Sequence, residues 1–182
     1  MIIALAGKGA SGKSTVVKML VDKLKFKHYS IGDLMREQAK EKNVTILRLN
    51  QMAETDASID KWLDERQEQL GKTEDNFIID SRIAFKFIPH AIKIMLDVDD
   101  DIAAHRIFIA PPRDGENEYK SEDDAKKNLI LRRESEISRL KRYYGVNPYD
   151  KKNYDLVIDT SYITPEKVVD KILIYLKKRK VL

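Results

Sequence analysis

The 182-residue chain contains no cysteine, so it can form neither a disulfide bond nor a cysteine-ligated zinc site. No apolar run approaches the roughly 20 residues of a membrane span. The short apolar run Ile2–Ala6 has no basic region before it, unlike a signal peptide. Glycine and proline are scarce, at 7 and 5 residues, and no repeat or Gly/Ser-rich linker divides the chain. We therefore expect one cytoplasmic domain that does not enter a membrane.

The chain also lacks a large excess of charge of one sign. The 34 basic and 30 acidic residues give a formal net charge of +4. Much of this excess lies in the run Lys177–Lys180, which fits the solvated end of a helix, and the other basic residues are mixed with acidic ones. This pattern favours small-molecule partners over nucleic acid, and we expect a monomer.

The remaining sequence alternates between strand and helix patterns. Strands are predicted at Ile2–Ala6, His28–Ser30, Phe77–Asp80, Ala91–Val98 and Leu156–Ile158. Helices are predicted at Ser14–Leu24, Ile31–Lys42, Ser58–Leu70, Asp99–Ile109, Ser121–Tyr144 and Pro165–Lys177, the last with Thr164 as its N-cap. Alternation of this kind predicts an α/β fold in which a parallel sheet is flanked by helices. Ligands of such sheets bind beyond the carboxyl ends of the strands.

The stretch GKGASGKST directly follows the first strand and opens the first helix. It contains the complete pattern G-x-x-x-x-G-K-[ST], in which backbone N–H groups surround nucleotide phosphates. Lys13 is expected to neutralise the β- and γ-phosphates, and the Ser14 hydroxyl to ligate Mg²⁺. The predicted nucleotide-binding residues are Gly7, Lys8, Gly9, Ala10, Ser11, Gly12, Lys13, Ser14 and Thr15.

Asp80 closes the strand FIID at the same edge of the predicted sheet. A carboxylate in this position can hold Mg²⁺, directly or through water. The alternative is a turn or helix-cap residue. With the phosphate-binding loop beside it, the metal role is the favoured interpretation for Asp80.

Arginines indicate what accepts the phosphate. Arg36 follows the first helix, Arg82 follows Asp80, and Arg113 lies in the segment Ala110–Lys120. That segment is either a surface loop or a lid over the nucleotide. Further arginines lie around it: Arg106, Arg132, Arg133, Arg139 and Arg142. Arginine binds phosphate bidentately, so these residues favour a kinase whose acceptor already carries a phosphate. Such an acceptor is anionic and needs no general base.

An ordered set of motifs resembles the short, archaeal-type cytidylate kinases within the nucleoside monophosphate kinases. The set runs SIGDLMREQAKEK, IDKWLDERQ, IIDSRIAF, RRESEISRLKRYYG and YDLVIDTSYITPEKVV, and it covers nearly the whole chain. The resemblance implies a five-stranded parallel sheet with a helical monophosphate-binding insert and an arginine-bearing lid. We expect a core of residues 1–29, 77–109 and 145–182, an insert of residues 30–76 and a lid region of residues 110–144. The implied reaction is ATP plus CMP or dCMP giving ADP plus CDP or dCDP, with Mg²⁺.

The resemblance also implies roles for individual residues. Catalytic roles fall on Lys13, Arg82, Arg113 and Arg133, and Arg106 lies near ATP. Substrate-binding roles fall on Ser30, Asp33, Arg36, Asp60, Asp64, Arg66, Arg82 and Arg142, and metal binding on Ser14 and Asp80. A serine, Ser81, stands before Arg82 where the family commonly has glycine.

Asp60, Asp64 and Gln67 share one face of the predicted insert helix. A carboxylate together with an amide or Arg66 could read the edge of cytosine, which offers an N4 donor and the N3 and O2 acceptors. A solvated helix face is the equal alternative.

Other functions remain open on the sequence. They are a kinase for AMP or UMP, a dephospho-coenzyme A kinase, and a nucleotide-binding regulatory module without turnover. A GTPase is disfavoured because no N-K-x-D segment follows.

Overall fold

In the computed structural model, which describes residues 1–44, 48–49, 52, 56–110 and 119–182, five strands form one parallel sheet. The strands are β1 Ile2–Gly7, β2 Lys27–Ser30, β3 Phe77–Asp80, β4 Ile92–Asp97 and β5 Leu156–Asp159, in the spatial order β2-β3-β1-β4-β5. The predicted α/β class and the five strand positions are confirmed.

Helices connect the strands. They are α1 Lys13–Leu24, α2 Ile31–Glu41, α3 Ala57–Thr73, α4 Ala84–Phe87, α5 Asp100–Ile109, α6 Glu122–Tyr144 and α7 Pro165–Lys178, with a 3₁₀ turn at Lys151–Asn153. Thr164 caps α7 as predicted, since its side chain accepts a hydrogen bond from the Lys167 backbone N–H. Asp99 and Ser121 cap α5 and α6 in the same way, which is why each of these two helices begins one residue later than predicted.

The sheet is buried on both faces, as expected for parallel strands with apolar sequences. Successive residues of β1 alternate between the two layers. Ile3 and Leu5 pack with the apolar faces of α1 and α7, whereas Ile2 and Ala4 pack with Leu70 of α3 and with the residues around α4. The core therefore holds the carboxyl ends of β1, β3 and β4 side by side at one edge of the sheet.

No helix within the described ranges is long and apolar enough to cross a membrane. Most of the predicted loop or lid at Ala110–Lys120 consists of residues 111–118, which lie outside the described residues. Arg113 is one of them.

Candidate active site

The loop between β1 and α1 is shaped by its glycines. Gly12 has a φ of 79°, in the left-handed region that favours glycine. A Cβ atom on Gly7 would lie 2.7 Å from Ser11 Oγ and 3.0 Å from the Leu96 carbonyl oxygen. Helix α1 begins at Lys13, so the N–H groups of its first turn have no partner within the helix and are free to bind an anion. The predicted sequence context of the motif, a buried strand followed by a helix, is present.

Lys13 and Asp80 form an ion pair at the carboxyl ends of β1 and β3. The two strands are adjacent, with Leu5 opposite Asp80 in the register. Both side chains are about four-fifths buried, so the lysine predicted to bind phosphate and the carboxylate predicted to bind metal lie in direct contact.

Lys8 is anchored to the end of β4. Its Nζ lies 2.7 Å from Asp97 Oδ1 and donates to the Val98 carbonyl at 3.2 Å. Lys151 Nζ contacts the other oxygen of Asp97 at 2.8 Å. Burial by itself would raise the pKa of Asp97, but hydrogen bonds from Lys151 and Lys8 lower it below its usual value. Sequence reasoning missed Asp97, because nothing local connects it to a lysine so distant in the chain.

Arg106 of α5 joins the phosphate-binding loop to the segment after β5. Its guanidinium donates to the carbonyls of Ala10 at 3.2 Å, Thr160 at 2.7 Å and Ser161 at 3.0 Å. It also faces the cleft beside the loop. Arg106 therefore connects the loop to the segment after β5 and also contributes to the lining of the cleft.

A cleft of about 720 Å³ opens at this edge of the sheet. It brings together the loop residues Gly7, Lys8, Gly9, Ala10, Ser11, Gly12, Lys13, Ser14 and Thr15 with Arg82, Arg106, Arg132 and Arg133. The acidic side chains in its described lining are Asp100 and Glu136. The cleft is thus predominantly basic, which suits a ligand that carries several phosphates.

Arg82 is held in the cleft by α6. Its Nη1 lies 2.6 Å from Glu136 Oε1, and the Tyr149 hydroxyl donates to Glu136 Oε2 at 2.6 Å. Burial raises the pKa of Tyr149 to about 12, so its hydroxyl stays protonated at neutral pH. Neither Glu136 nor Tyr149 was identified from the sequence.

Arg133 also projects from α6 into the cleft. Its two terminal nitrogens contact the two carboxylate oxygens of Asp100 at 2.5 and 2.7 Å. This bidentate pair raises the pKa of Arg133 and lowers that of Asp100. It fixes α6 against the first turn of α5.

The predicted residues of α2 lie apart from the lining of this cleft. Ser30 caps α2, and its hydroxyl donates to Asp33 Oδ2 at 2.5 Å. That hydrogen bond lowers the pKa of Asp33, which also pairs with Arg36. The guanidinium of Arg36 is 62% exposed, so it is accessible to an anion in solution.

Asp60 and Asp64 of α3 face α6 rather than bulk solvent. Asp60 lies 3.6 Å from Arg139 Nη1, and Asp64 accepts from the Tyr144 hydroxyl at 2.8 Å. Burial raises the pKa of Asp60, and it raises that of Asp64 to about 6. The solvated-face alternative is therefore wrong for these two carboxylates.

Gln67, on the same face, is only 2% exposed. Its Oε1 accepts from the Ser81 hydroxyl at 2.7 Å. Ser81, which stands directly before Arg82, thus connects the end of β3 to α3. Arg66 contacts Gln69 on the exposed side of α3, and Arg142 stacks on Tyr143, 5.1 Å from the ring centroid. The structure does not bring Arg66 or Arg142 into the cleft.

A dedicated metal cage is not formed by the described part of the chain, where no group of three or more histidine or acidic side chains converges. The oxygen donors beside the loop are the exposed Ser14 hydroxyl and the Asp80 carboxylate. Such a sparse set of oxygens fits Mg²⁺, which is commonly held by one or two carboxylates plus substrate phosphates.

Comparison with known proteins gives consistent matches. A family model described as an AAA domain matches residues 6–115. The cytidylate kinase of Sulfolobus acidocaldarius is 39% identical over 95% of this chain and 92% of its own length. That of Methanobrevibacter smithii is 33% identical over 97% of this chain and 99% of its own length.

The solved structures agree on the fold. Shikimate kinase from Bacteroides thetaiotaomicron superposes with a TM-score of 0.70 and 15% identity, over 97% of this chain and 98% of its own. At this identity the likeness shows a shared architecture of sheet and helices, and it carries no information on the acceptor.

Proposed function

The chain belongs to the cytidylate kinase family of P-loop kinases, and we propose that it transfers the γ-phosphate of ATP to CMP or dCMP. A nucleoside monophosphate kinase must hold two nucleotides, the phosphate donor and the monophosphate acceptor. The observation that carries the proposal is the single cleft in which the phosphate-binding loop faces Arg82 and Arg133. A phosphate donor and a phosphate-bearing acceptor can meet there.

The donor side is the loop Gly7–Thr15. Its backbone N–H groups and Lys13 would hold the phosphates of ATP, and Arg106 would lie beside the nucleotide. Lys13 contacts Asp80, and this ion pair would hold its ammonium group close to the phosphate in transfer. Fixed donors of this kind stabilise a transition state without reorganising.

Mg²⁺ would be held by Ser14 and Asp80 together with the nucleotide phosphates. When bound, the ion neutralises charge on the β- and γ-phosphate oxygens. The chain's own contribution is to place a hydroxyl and a carboxylate next to Lys13.

The acceptor side is formed by arginines. Arg82 would bind the acceptor phosphate from within the cleft, and Arg36 from α2. Arg133 would contact the phosphoryl group in transfer. Arg113, which lies outside the described residues, stays a predicted catalytic residue. The acceptor oxygen is anionic, so the residues need to orient it and to neutralise repulsion rather than remove a proton.

Base recognition would use the α3 carboxylates. Asp64 and Asp60 are held by Tyr144 and Arg139 at fixed positions. A carboxylate can accept a hydrogen bond from the cytosine N4 amino group. Uracil carries a carbonyl at that position, so these acids would favour cytosine over uracil.

A panel of acceptors tests the proposal. ADP release with ATP and Mg²⁺ is measured for CMP, dCMP, UMP, AMP and dephospho-coenzyme A at equal concentrations. We expect the highest kcat/KM with CMP or dCMP. Preference for AMP or UMP would assign a different base, and ATP binding without turnover of any acceptor would indicate a regulatory module.

A further inference from the structure

Glu136 is a carboxylate placed inside a cleft that otherwise offers cations to phosphates. It lines the cleft with Arg82 and Tyr149, and its side chain is only 17% exposed. A negative charge in this place repels a phosphate-bearing ligand. We therefore looked for a function of Glu136 that would offset this repulsion.

Both oxygens of Glu136 are committed to specific donors. Oε1 lies 2.6 Å from Arg82 Nη1, and Oε2 accepts from the Tyr149 hydroxyl at 2.6 Å. The Tyr154 hydroxyl lies 3.3 Å from the Arg82 carbonyl oxygen, but its closer acceptor is the Pro148 carbonyl at 2.5 Å. The contact that holds Arg82 in this place is therefore the one between its guanidinium and Glu136 of α6.

The guanidinium keeps donors for a ligand after this pairing. Arginine has five N–H donors in a rigid fork. Within the described residues, Nε of Arg82 is a buried atom without a hydrogen-bond partner, whereas the side chain as a whole is 41% exposed and so offers its remaining terminal N–H groups to a ligand. Glu136 therefore uses one side of the fork and sets the direction of the rest.

We propose that Glu136, held by Tyr149, is a positioning residue that orients the Arg82 guanidinium toward the acceptor phosphate. This inference rests on the proposed function of Arg82. Glu136 acts through Arg82 and does not itself touch the substrate. The negative charge of Glu136 repels the acceptor phosphate. Its hydrogen bond to Arg82 offsets this repulsion, because it holds the guanidinium in the orientation that binds the phosphate.

Kinetics of Glu136→Gln and Tyr149→Phe test the proposal, using the best acceptor of the wild-type enzyme. Glu136→Gln should lower kcat/KM for the acceptor about 10- to 100-fold, the scale of a misplacement near 1 Å. KM for ATP should change less than about twofold on the same argument. Tyr149→Phe, which removes one hydroxyl, should give a smaller loss of the same kind. Glu134→Gln is the matched control, since Glu134 is an exposed acid on the same helix.

A double-mutant cycle separates positioning from a structural role. In an Arg82→Lys background, Glu136→Gln should add less than about a twofold further loss, because the two changes act on one interaction. The proposal would be overturned if the fold-losses of kcat/KM in Glu136→Gln and Arg82→Lys simply multiplied in the double variant. It would also be overturned if Glu136→Gln lowered kcat/KM equally when ATP is the varied substrate.

A spectroscopic readout keeps this test independent of the acceptor. In protein labelled with ¹⁵N-arginine, the Arg82 Nε–Hε resonance is identified by its loss in Arg82→Lys. Glu136→Gln and Tyr149→Phe should shift it, and Glu134→Gln should not. An unshifted resonance in Glu136→Gln refutes the positioning role, whereas absence of turnover with every acceptor refutes only the proposed function.

Discussion

Lys13 pairs with a carboxylate of the neighbouring strand and is also the lysine that we expect to contact the nucleotide phosphates. It follows the left-handed Gly12 at the start of α1 and contacts Asp80 across the sheet edge. Its ammonium is therefore aimed by the fold before any ligand arrives. At the scale of single residues, we propose that this preorganised ammonium stabilises the transition state of phosphoryl transfer.

Replacing Lys13 by alanine should lower kcat by on the order of 10²–10³ or more, because the transition-state charge loses a fixed donor. Steady-state ADP release measures the effect. Lys18→Ala is the matched control, since Lys18 is an exposed lysine of the same helix. Wild-type turnover in Lys13→Ala would remove the loop from the reaction.

Arg82→Ala should act on the acceptor side alone. We expect kcat/KM for the acceptor to fall about 10- to 100-fold, the value of one or two hydrogen bonds to a charged group. The dissociation constant for ATP, measured by calorimetry, should stay near the wild-type value. Arg179→Ala provides a control, because Arg179 pairs with Asp155 at the far end of α7. A loss confined to ATP binding would place Arg82 on the donor side.

Single residues also mark the limit of sequence reasoning. The loop, Asp80 and Arg82 could be predicted because a local motif or a strand end identifies them. The partners of these residues could not be predicted in the same way. Glu136, Tyr149 and Asp97 meet them only after helices from distant parts of the chain pack together.

At the scale of elements, α6 contacts both halves of the site. Arg133 and Glu136 reach the cleft, whereas Arg139 and Tyr144 reach the acids of α3. One helix thus links the α3 carboxylates with the arginines beside the loop. A displacement of α6 would alter all of these contacts together.

The burial of Asp64 beside α6 predicts a pH dependence of stability. Burial raises the pKa of Asp64 to about 6, so the folded chain binds this proton more tightly than the unfolded chain. Its contribution to stability is full below the pKa of the unfolded chain and is lost as pH rises through about 6. The change is complete about one pH unit above that value.

Asp64→Asn removes this titration. Urea unfolding at a series of pH values should show wild type losing stability relative to Asp64→Asn between about pH 4 and about pH 7, with a constant difference at higher pH. A difference that is the same at every pH would mean that Asp64 titrates normally. Asp22→Asn, on α1, serves as a charge-matched control, since the pKa of Asp64 does not depend on it.

The first and last residues of most helices and strands could be predicted within a few positions, because apolar runs and capping side chains mark them in the sequence. Helix α3 is an instructive exception, since the prediction ended at Leu70 and the helix continues to Thr73. Gly71 lies inside it, where a Cβ atom would come 2.9 Å from Ile88 Cγ2. Close packing against Ile88, which the sequence does not reveal, keeps a glycine within the helix.

For the whole molecule, one chain supplies the phosphate-binding loop and the cleft arginines of the proposed reaction. The parallel sheet places the ends of β1, β3 and β4 together, and α5 and α6 cover them from one side. We propose that this cleft transfers phosphate to an acceptor that already carries one.

The most direct test compares CMP with cytidine by ³¹P NMR, in the presence of ATP and Mg²⁺. We expect the γ-phosphate signal of ATP to decay with CMP while the two phosphate signals of CDP appear. We also expect no CMP formation from cytidine under the same conditions. Phosphorylation of cytidine at a comparable rate, or no transfer to CMP, would contradict this proposal.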